Sequence, residues 1–288
     1  MNVVVIGGAG RMGAWFARYF AQKGHVVNIF DARRKRAEEI ARQLGVQTAN
    51  DSFHALKNAD FVLVSVPIDV TPEVLRELVP LVRKNMILAE IASLKKKSQK
   101  VLGQISRRGI LTLSIHPLFG PGANDVVGNK IALIPVSNEK RELEAARQLF
   151  PEAKLLSTDA DQHDRMMAVV LSLTHFVNVV YASALTNENL ATLKKFAGPS
   201  FITQLTLAQS VLSEDPSNYF SMQFLNKSTE VYLRKLLNGF SALRTSIQNE
   251  DRRRFVQFFL KCRKWLYTDS KAIDAYQKIY SMLNVIEN

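Results

Sequence analysis

The chain begins with an apolar run that breaks into glycines, "NVVVIGGAGRMGAWF" (2–16). Within the run 2–6, Val3 to Ile6 are β-branched and favour a strand. Gly8-x-Gly10-x-x-Gly13 follows, and "RMGAWFARYFAQKG" (11–24) has helical apolar spacing and ends near Gly24. A strand, a glycine turn and a helix bring backbone N–H groups and a helix N-terminus to one point. Such a point suits a pyrophosphate. The glycine spacing alone is common in ordinary turns, but between a strand and a helix it has the context it needs.

The alternation continues. "VVNIF" (26–30) reads as a second strand, "KRAEEIARQLG" (35–45) as a second helix, and "DFVLVSVP" (60–67) as a third strand stopped by proline. "TPEVLRELVPLVRK" (71–84) is a helix with Pro72 in its permitted first turn. "MILAEI" (86–91), "ILTLSI" (110–115) and "IALIPV" (131–136) are further strands. This order predicts an α/β fold, a mostly parallel, doubly wound sheet of Rossmann type.

Near residue 157 the pattern changes. From Thr158 onward no segment reads as a strand, and 159–188, 189–213, 216–249, 251–267 and 269–285 read as helices. Two domains are expected, 1–157 binding a nucleotide and 158–288 all-α. The stretch "MMAVVLSLTHFVNVVYASAL" (166–185) is long enough to span a bilayer. Ser172, Thr174, His175 and Asn178 argue against a lipid-facing span, and a helix apolar on most sides suits a core or a subunit interface. We expect no membrane partner and a homodimer through the helical domain.

Composition narrows the class. Apolar residues make up 47% of the chain, as in a globular protein. The one cysteine, Cys262, permits no disulfide framework and suits a cytoplasmic protein, and "MNVVVIGG" does not read as a signal peptide. The net charge of +12, with runs at 33–36, 95–97 and 252–254, reads as solvated helix faces in a field that draws anions. No nucleic-acid motif accompanies it, so no nucleic-acid partner is expected. His163 and His175 stand 12 residues apart, too far for one metal ion on a straight helix, and no metal is expected.

Asp31 ends the second strand, where a carboxylate can accept hydrogen bonds from an adenosine ribose. That favours NAD. Arg33 and Arg34 follow and could instead cradle the 2′-phosphate of NADP. The expected cofactor residues are Gly8, Gly10, Arg11, Met12, Gly13, Asp31, Arg33, Ser65, Val66 and Pro67, the last three ending the third strand.

A nicotinamide cofactor needs a base for the proton that accompanies its hydride. In an open α/β sheet, ligands sit beyond the C-terminal strand ends. "IASLK" (91–95) places Ser93 and Lys95 there, and "IHPLFGP" (115–121) places His116 there. A lone histidine is more often structural, yet one at a ligand-facing strand end beside a rigid loop is a candidate base. His163 reads as the exposed start of a helix. His175 reads equally as a satisfied buried histidine or a substrate contact.

Taken in order, "GGAGRMG", "VSVPIDVT" (64–71), "ASLK" (92–95), "HPLFGP" (116–121), "HDRMMAVVLSLTHF" (163–176), "DPSNYFSM" (215–222) and "NEDRRRFVQFF" (249–259) resemble the prephenate/arogenate dehydrogenase family of tyrosine biosynthesis. The resemblance covers nearly the whole chain. It implies NAD-dependent oxidative decarboxylation of prephenate to 4-hydroxyphenylpyruvate, or of arogenate directly to tyrosine, by a homodimer. It implies that His116 takes the proton of the ring 4-hydroxyl as hydride leaves the same carbon. Ser93 would orient that histidine, Lys95 would support the site or the cofactor, and His175 would contact substrate.

The chain also departs from the family. An arginine that grips the ring carboxylate often stands five residues before the Asp-Pro pair, and Ser210 stands there here. Arg165, Lys194, Lys195, Lys227 of the partner subunit, Gln204 and Gln209 are candidates to replace it. Gly122 occupies a position that is acidic in some relatives, which leaves prephenate and arogenate both open. Two other classes compete: a β-hydroxyacid or imine dehydrogenase, and a cofactor-binding regulatory protein without activity.

Overall fold

Val3, Val4 and Val5 form the middle of the sheet because both of its faces are covered, so each side chain of the run is buried. In the computed structural model, which describes residues 1–49 and 56–286, β1 (Asn2–Ile6) pairs in parallel with β2 (Val26–Phe30) on one side and β4 (Phe61–Val64) on the other. The eight strands run β3-β2-β1-β4-β5-β6-β7-β8, with β3 at Gln47–Thr48, β5 at Ile87–Glu90, β6 at Leu111–Pro117, β7 at Lys130–Leu133 and β8 at Lys154–Ser157. Every pairing is parallel except that of β6 with β7. The chain leaves β1 to one side and returns to the other at β4. The order of the sheet therefore reverses between β1 and β4, where a crevice forms at the strand ends.

Helices cover both faces. On one, Trp15, Phe16 and Phe20 of α1 (Arg11–Gln22) and Ile40 of α2 (Arg34–Leu44) meet Val3, Ile29 and Phe61. On the other, Leu75 and Leu78 of α3 (Thr71–Leu78) and Leu102 and Ile105 of α4 (Lys96–Ser106) meet Val4, Val62 and Leu88. Phe16, Phe20 and Phe61 are wholly buried, each contributing roughly 1.5–3 kcal/mol. Helices α4 and α5 (Glu139–Leu149) and strand β8 were not anticipated from sequence. Their apolar faces are short, Val101, Leu102 and Ile105 in α4, and Ala145, Ala146 and Leu149 in α5.

The chain divides into two units, Met1–Met167 with Phe224–Asn226, and Ala168–Gln223 with Lys227–Asn288. The first boundary thus falls ten residues after the expected 157, because α6 (Ala160–Met167) is bonded into the first unit. Among the described residues no strand follows Ser157, as the helical reading of this half expected.

The expected helices are more broken than their apolar spacing suggested. The run 160–183 passes through a π-helical stretch, Ala168–Leu173, before α7 (Thr174–Ser183). Pro199 starts α9 (Pro199–Leu212) after α8 (Leu190–Lys195), and α10 (Pro216–Leu225) is separate from α11 (Thr229–Gln248). Helix α12 (Arg252–Leu266), a 3-10 turn (Ser270–Asp274) and α13 (Ala275–Ile286) complete the chain.

In the second unit α7 packs on α9, with the Gln204 amide donating to Asn178 at 2.9 Å. Its core is small, formed by residues such as Leu205, Ala208, Val211, Met222 and Leu283. Large apolar side chains stay exposed, Phe240 at 65% and Trp265 at 72%. The apolar window within 160–183 is only 22% buried, so it is not a core helix of a single chain.

Candidate active site

The glycine turn lies at the point of sheet reversal. Gly7 has φ of +81°, and a Cβ there would lie 2.2 Å from the carbonyl oxygen of Ser65 at the end of β4. A Cβ on Gly13 would lie 2.2 Å from the Gly7 carbonyl, and one on Gly8 would lie 2.4 Å from Ile29 Cβ. The first turn of α1 therefore presses against the end of β1, which only hydrogen at these positions allows. Gly10 caps the helix; no side chain closes that end and no acidic residue sits in its first turn. The positive end of the helix is left for an anion.

The other expected cofactor residues surround this turn. Arg11 and Met12 begin α1, Arg11 exposed and Met12 half-buried. Ser65, Val66 and Pro67 follow β4 across the crevice. Asp31, at the end of β2, accepts the Ala9 N–H at 3.0 Å through Oδ2 and the Arg33 backbone and side-chain N–H groups at 2.9 and 3.1 Å through Oδ1. A cradle that excludes Cβ atoms, an uncapped helix end and a carboxylate at the second strand together fit a dinucleotide. Gly7 was not singled out from sequence; the doubled glycine was its signal.

His116 lies near the end of β6, paired with Ala132 of β7, and is 6% exposed. The loop leaving it is held by Trp15, whose indole N–H donates to the Ala123 carbonyl at 2.6 Å. His116 Nδ1 is 3.0 Å from His163 Nε2, and His163 Nδ1 is 2.9 Å from Asp164 Oδ1. The Asp164 carboxylate also accepts the backbone N–H groups of Lys95 at 2.9 Å and Lys96 at 3.2 Å at the start of α4. A carboxylate only accepts, so His163 carries its proton on Nδ1. Its Nε2 then accepts from His116 Nδ1–H, and Nε2 of His116 keeps a lone pair. Burial, then the Lys95 charge, then His163 hold His116 well below the usual histidine pKa.

The Lys95 side chain is wholly buried. Nζ pairs with Glu90 Oε1 at 2.9 Å and donates to the Ile115 carbonyl, the residue before His116. Glu90 also accepts the Ser114 hydroxyl at 2.6 Å and the Ala92 N–H at 2.8 Å. Burial lowers the pKa of Lys95, opposed by Glu90 and Asp164. Lys95 therefore fixes the strand end that carries His116 and sets the charge beside it. Ser93 is half-buried, and among the described residues its hydroxyl makes no hydrogen bond to His116.

The expected exposed position of His163 is corrected: the ring is wholly buried. Asp159 begins its helix, but the next turn points His163 inward to His116. His163, Asp164, Glu90 and Ser114 were all missed as site residues. The sequence signal was a His-Asp pair at a helix start and a lone glutamate ending an apolar strand.

The expected substrate contacts fall on different units. Arg165 is exposed on the first. On the second, His175 meets the Tyr219 ring edge-on at 4.6 Å, its buried Nδ1 has no hydrogen-bond partner, and burial lowers its pKa. Ser210 and Gln209 are exposed on α9, and the Ser210 hydroxyl donates to the Leu207 carbonyl of its own helix at 2.8 Å.

A phosphate-binding turn at the reversal of a parallel sheet, with a buried histidine two strands along, defines a nucleotide-binding α/β protein of the dehydrogenase type. Family comparison agrees. Residues 16–170 match the model "Prephenate dehydrogenase, nucleotide-binding domain", and residues 159–261 match "Prephenate dehydrogenase, dimerization domain". The chain belongs to the prephenate dehydrogenase family. It is 26% identical over its whole length to a "Probable arogenate/prephenate dehydrogenase" of Methanocaldococcus jannaschii, of which the match covers 66%. It is 27% identical over 92% of its length to the T-protein of Haemophilus influenzae, covering 67% of that protein. The chain thus spans about two thirds of these relatives.

Among solved structures, prephenate dehydrogenase from A. aeolicus in complex with hydroxyphenyl propionate and NAD+ superposes with a TM-score of 0.75 at 20% identity, over 93% of this chain and 98% of that one. Synechocystis arogenate dehydrogenase gives 0.67 at 19% identity, over 92% and 98%. These likenesses establish the fold.

Proposed function

We propose that the chain oxidatively decarboxylates prephenate to 4-hydroxyphenylpyruvate with NAD, using His116 as the base. The observation that carries this reading is the buried His116 whose Nδ1–H is committed to His163, leaving an Nε2 lone pair at a ligand-facing strand end. NAD, when bound in the glycine cradle, supplies the hydride acceptor. The remaining work belongs to the chain. His116 Nε2 takes the proton of the ring 4-hydroxyl, help worth ~10²–10⁴ in rate. Lys95 holds the backbone beneath it, and Ser93 is available to the same hydroxyl. The family resemblance assigns contacts with the rest of the substrate to His175, Ser210, Gln209 and Arg165.

Arogenate is the second reading. The Methanocaldococcus relative's name covers both substrates, and the Synechocystis protein is an arogenate dehydrogenase. Mixing protein, NAD and each substrate separately, while following absorbance of the reduced cofactor, decides between them. Turnover of prephenate alone supports the first reading, and turnover of arogenate alone the second. Turnover of neither, with NAD still binding in calorimetry, favours a regulatory protein.

The working form is a homodimer in the cytoplasm. Exposed apolar side chains on the helical unit and the dimerization-domain match support a second copy there. Light scattering should give twice the chain mass, and a monomer at micromolar concentration counts against the dimer.

A further inference from the structure

We propose that His163 and Asp164 form a closed proton store behind His116. As His116 Nε2 takes the hydroxyl proton, the Nδ1 proton of His116 passes to His163 Nε2, and the charge waits on His163 against the Asp164 carboxylate. The inference rests on the reading of His116 as the base.

The geometry is continuous. Three groups lie in series at 3.0 and 2.9 Å, with the two rings 76° apart. His163 is 0% exposed and Asp164 8%. The need is physical. A charge left on His116 would sit in a buried place beside the Lys95 ammonium, which disfavours it. One ring further, the charge meets a carboxylate whose remaining bonds come from the Lys95 and Lys96 backbone. Glu90 cannot serve instead, because it is already committed to Lys95, Ser114 and Ala92.

The proton balance explains why the store can be closed. The 4-hydroxyl O–H bond breaks and an N–H bond forms at His116 Nε2. The C4–H bond pair leaves as hydride to the oxidised cofactor. Carbon dioxide departs from the ring and leaves its bond pair behind, so the ring becomes aromatic and the oxygen a phenolate. That oxygen takes its proton back from His116 Nε2 as His163 returns the other to Nδ1. Substrate and oxidised cofactor give phenol, carbon dioxide and reduced cofactor, with no net proton released. A simple alcohol dehydrogenation releases one proton per turnover and needs a path to water.

Two experiments test the store. The first is ¹⁵N NMR of histidine-labelled whole protein without cofactor, assigned through His116→Asn and His163→Gln. The expected result is the Nδ1–H tautomer for both His116 and His163, and an Nε2–H tautomer at His116 overturns the proposal. The second is kinetic. Gln at 163 can still accept the His116 Nδ1–H bond but cannot take up a proton. His163→Gln is therefore expected to lower kcat by about 10², the low end of general-base help, with KM for substrate and NAD little changed. Asp164→Asn should move the acid limb of kcat/KM to lower pH, since the proton loses its carboxylate. A His163→Gln variant with wild-type kcat overturns the store and reduces His163 to a positioning residue. Absence of wild-type turnover on prephenate and arogenate sinks the functional reading instead, and the NMR result then decides the tautomer chain alone.

Discussion

Lys95 Nζ lies 2.9 Å from Glu90 Oε1, and neither side chain touches water. The pair sits under the residue before His116, because the same ammonium donates to the Ile115 carbonyl. Removing one partner leaves a bare charge in the core, at a cost of about 3–5 kcal/mol. Lys95→Met should therefore lower the urea midpoint strongly. Lys95→Met with Glu90→Gln should recover much of the loss, since no charge is left behind. If the double variant is no more stable than the single, the pair is not the main cause of the effect.

Histidine burial sets the pH range. His116 is held well below 6.5 and His175 is lowered in the same direction. As pH falls below the unfolded value, the unfolded chain takes up protons that the folded chain refuses. The stability held above about pH 6.5 is then lost toward the folded values, by up to ~1.4 kcal/mol per pH unit per group. Urea midpoints of wild type and His116→Asn at neutral and mildly acidic pH measure this. The wild type should lose more on acidification. Equal losses would show that His116 is not the group responsible.

The parts of the site that were legible in the sequence are those built locally. Gly8, Gly10 and Gly13 stand out because a strand and a helix bracket them, and His116 because an apolar run delivers it to a strand end. The parts that were not legible depend on distant pairing. His163 meets His116 across 47 residues, and its own surroundings, Asp161, Gln162 and Asp164, resemble a solvated helix start. Lys95 stands first in a run of three lysines, and only the fold separates it from Lys96 and Lys97 by giving it Glu90. The break at Met167 is hidden because the apolar spacing runs on through the π-helical stretch.

The glycine turn predicts a sharp contrast between two alanine substitutions. At Gly13 a Cβ would meet the Gly7 carbonyl at 2.2 Å, a backbone atom that cannot rotate away. Gly13→Ala should cost about 1–3 kcal/mol as an overpacked site and weaken NAD binding, because the helix must retreat from the turn. At Gly122 a Cβ meets nothing within 4 Å. Gly122→Ala should stay within about 0.5 kcal/mol of wild type. Urea unfolding and calorimetry with NAD measure both, and equal behaviour of the two variants would count against the cradle.

Asp31 governs the choice of nucleotide through what it does to Arg33. The carboxylate holds the Arg33 guanidinium at 3.1 Å and the Ala9 N–H at 3.0 Å, so it presents negative charge where a ribose hydroxyl donates and a 2′-phosphate is repelled. Asp31→Ser removes the charge that repels a 2′-phosphate but keeps a hydroxyl near Ala9, and it takes the Asp31 carboxylate away from the Arg33 guanidinium. A charge-assisted hydrogen bond is worth about 1.5–3 kcal/mol, so KM for NAD should rise by roughly one to two decades. KM for NADP should fall in the same variant, and Asp31→Ser with Arg33→Ala should lose that gain. Initial rates with each cofactor at saturating substrate give the ratio. An Asp31→Ser variant that still prefers NAD as strongly as the wild type would remove Asp31 from the selectivity of this site.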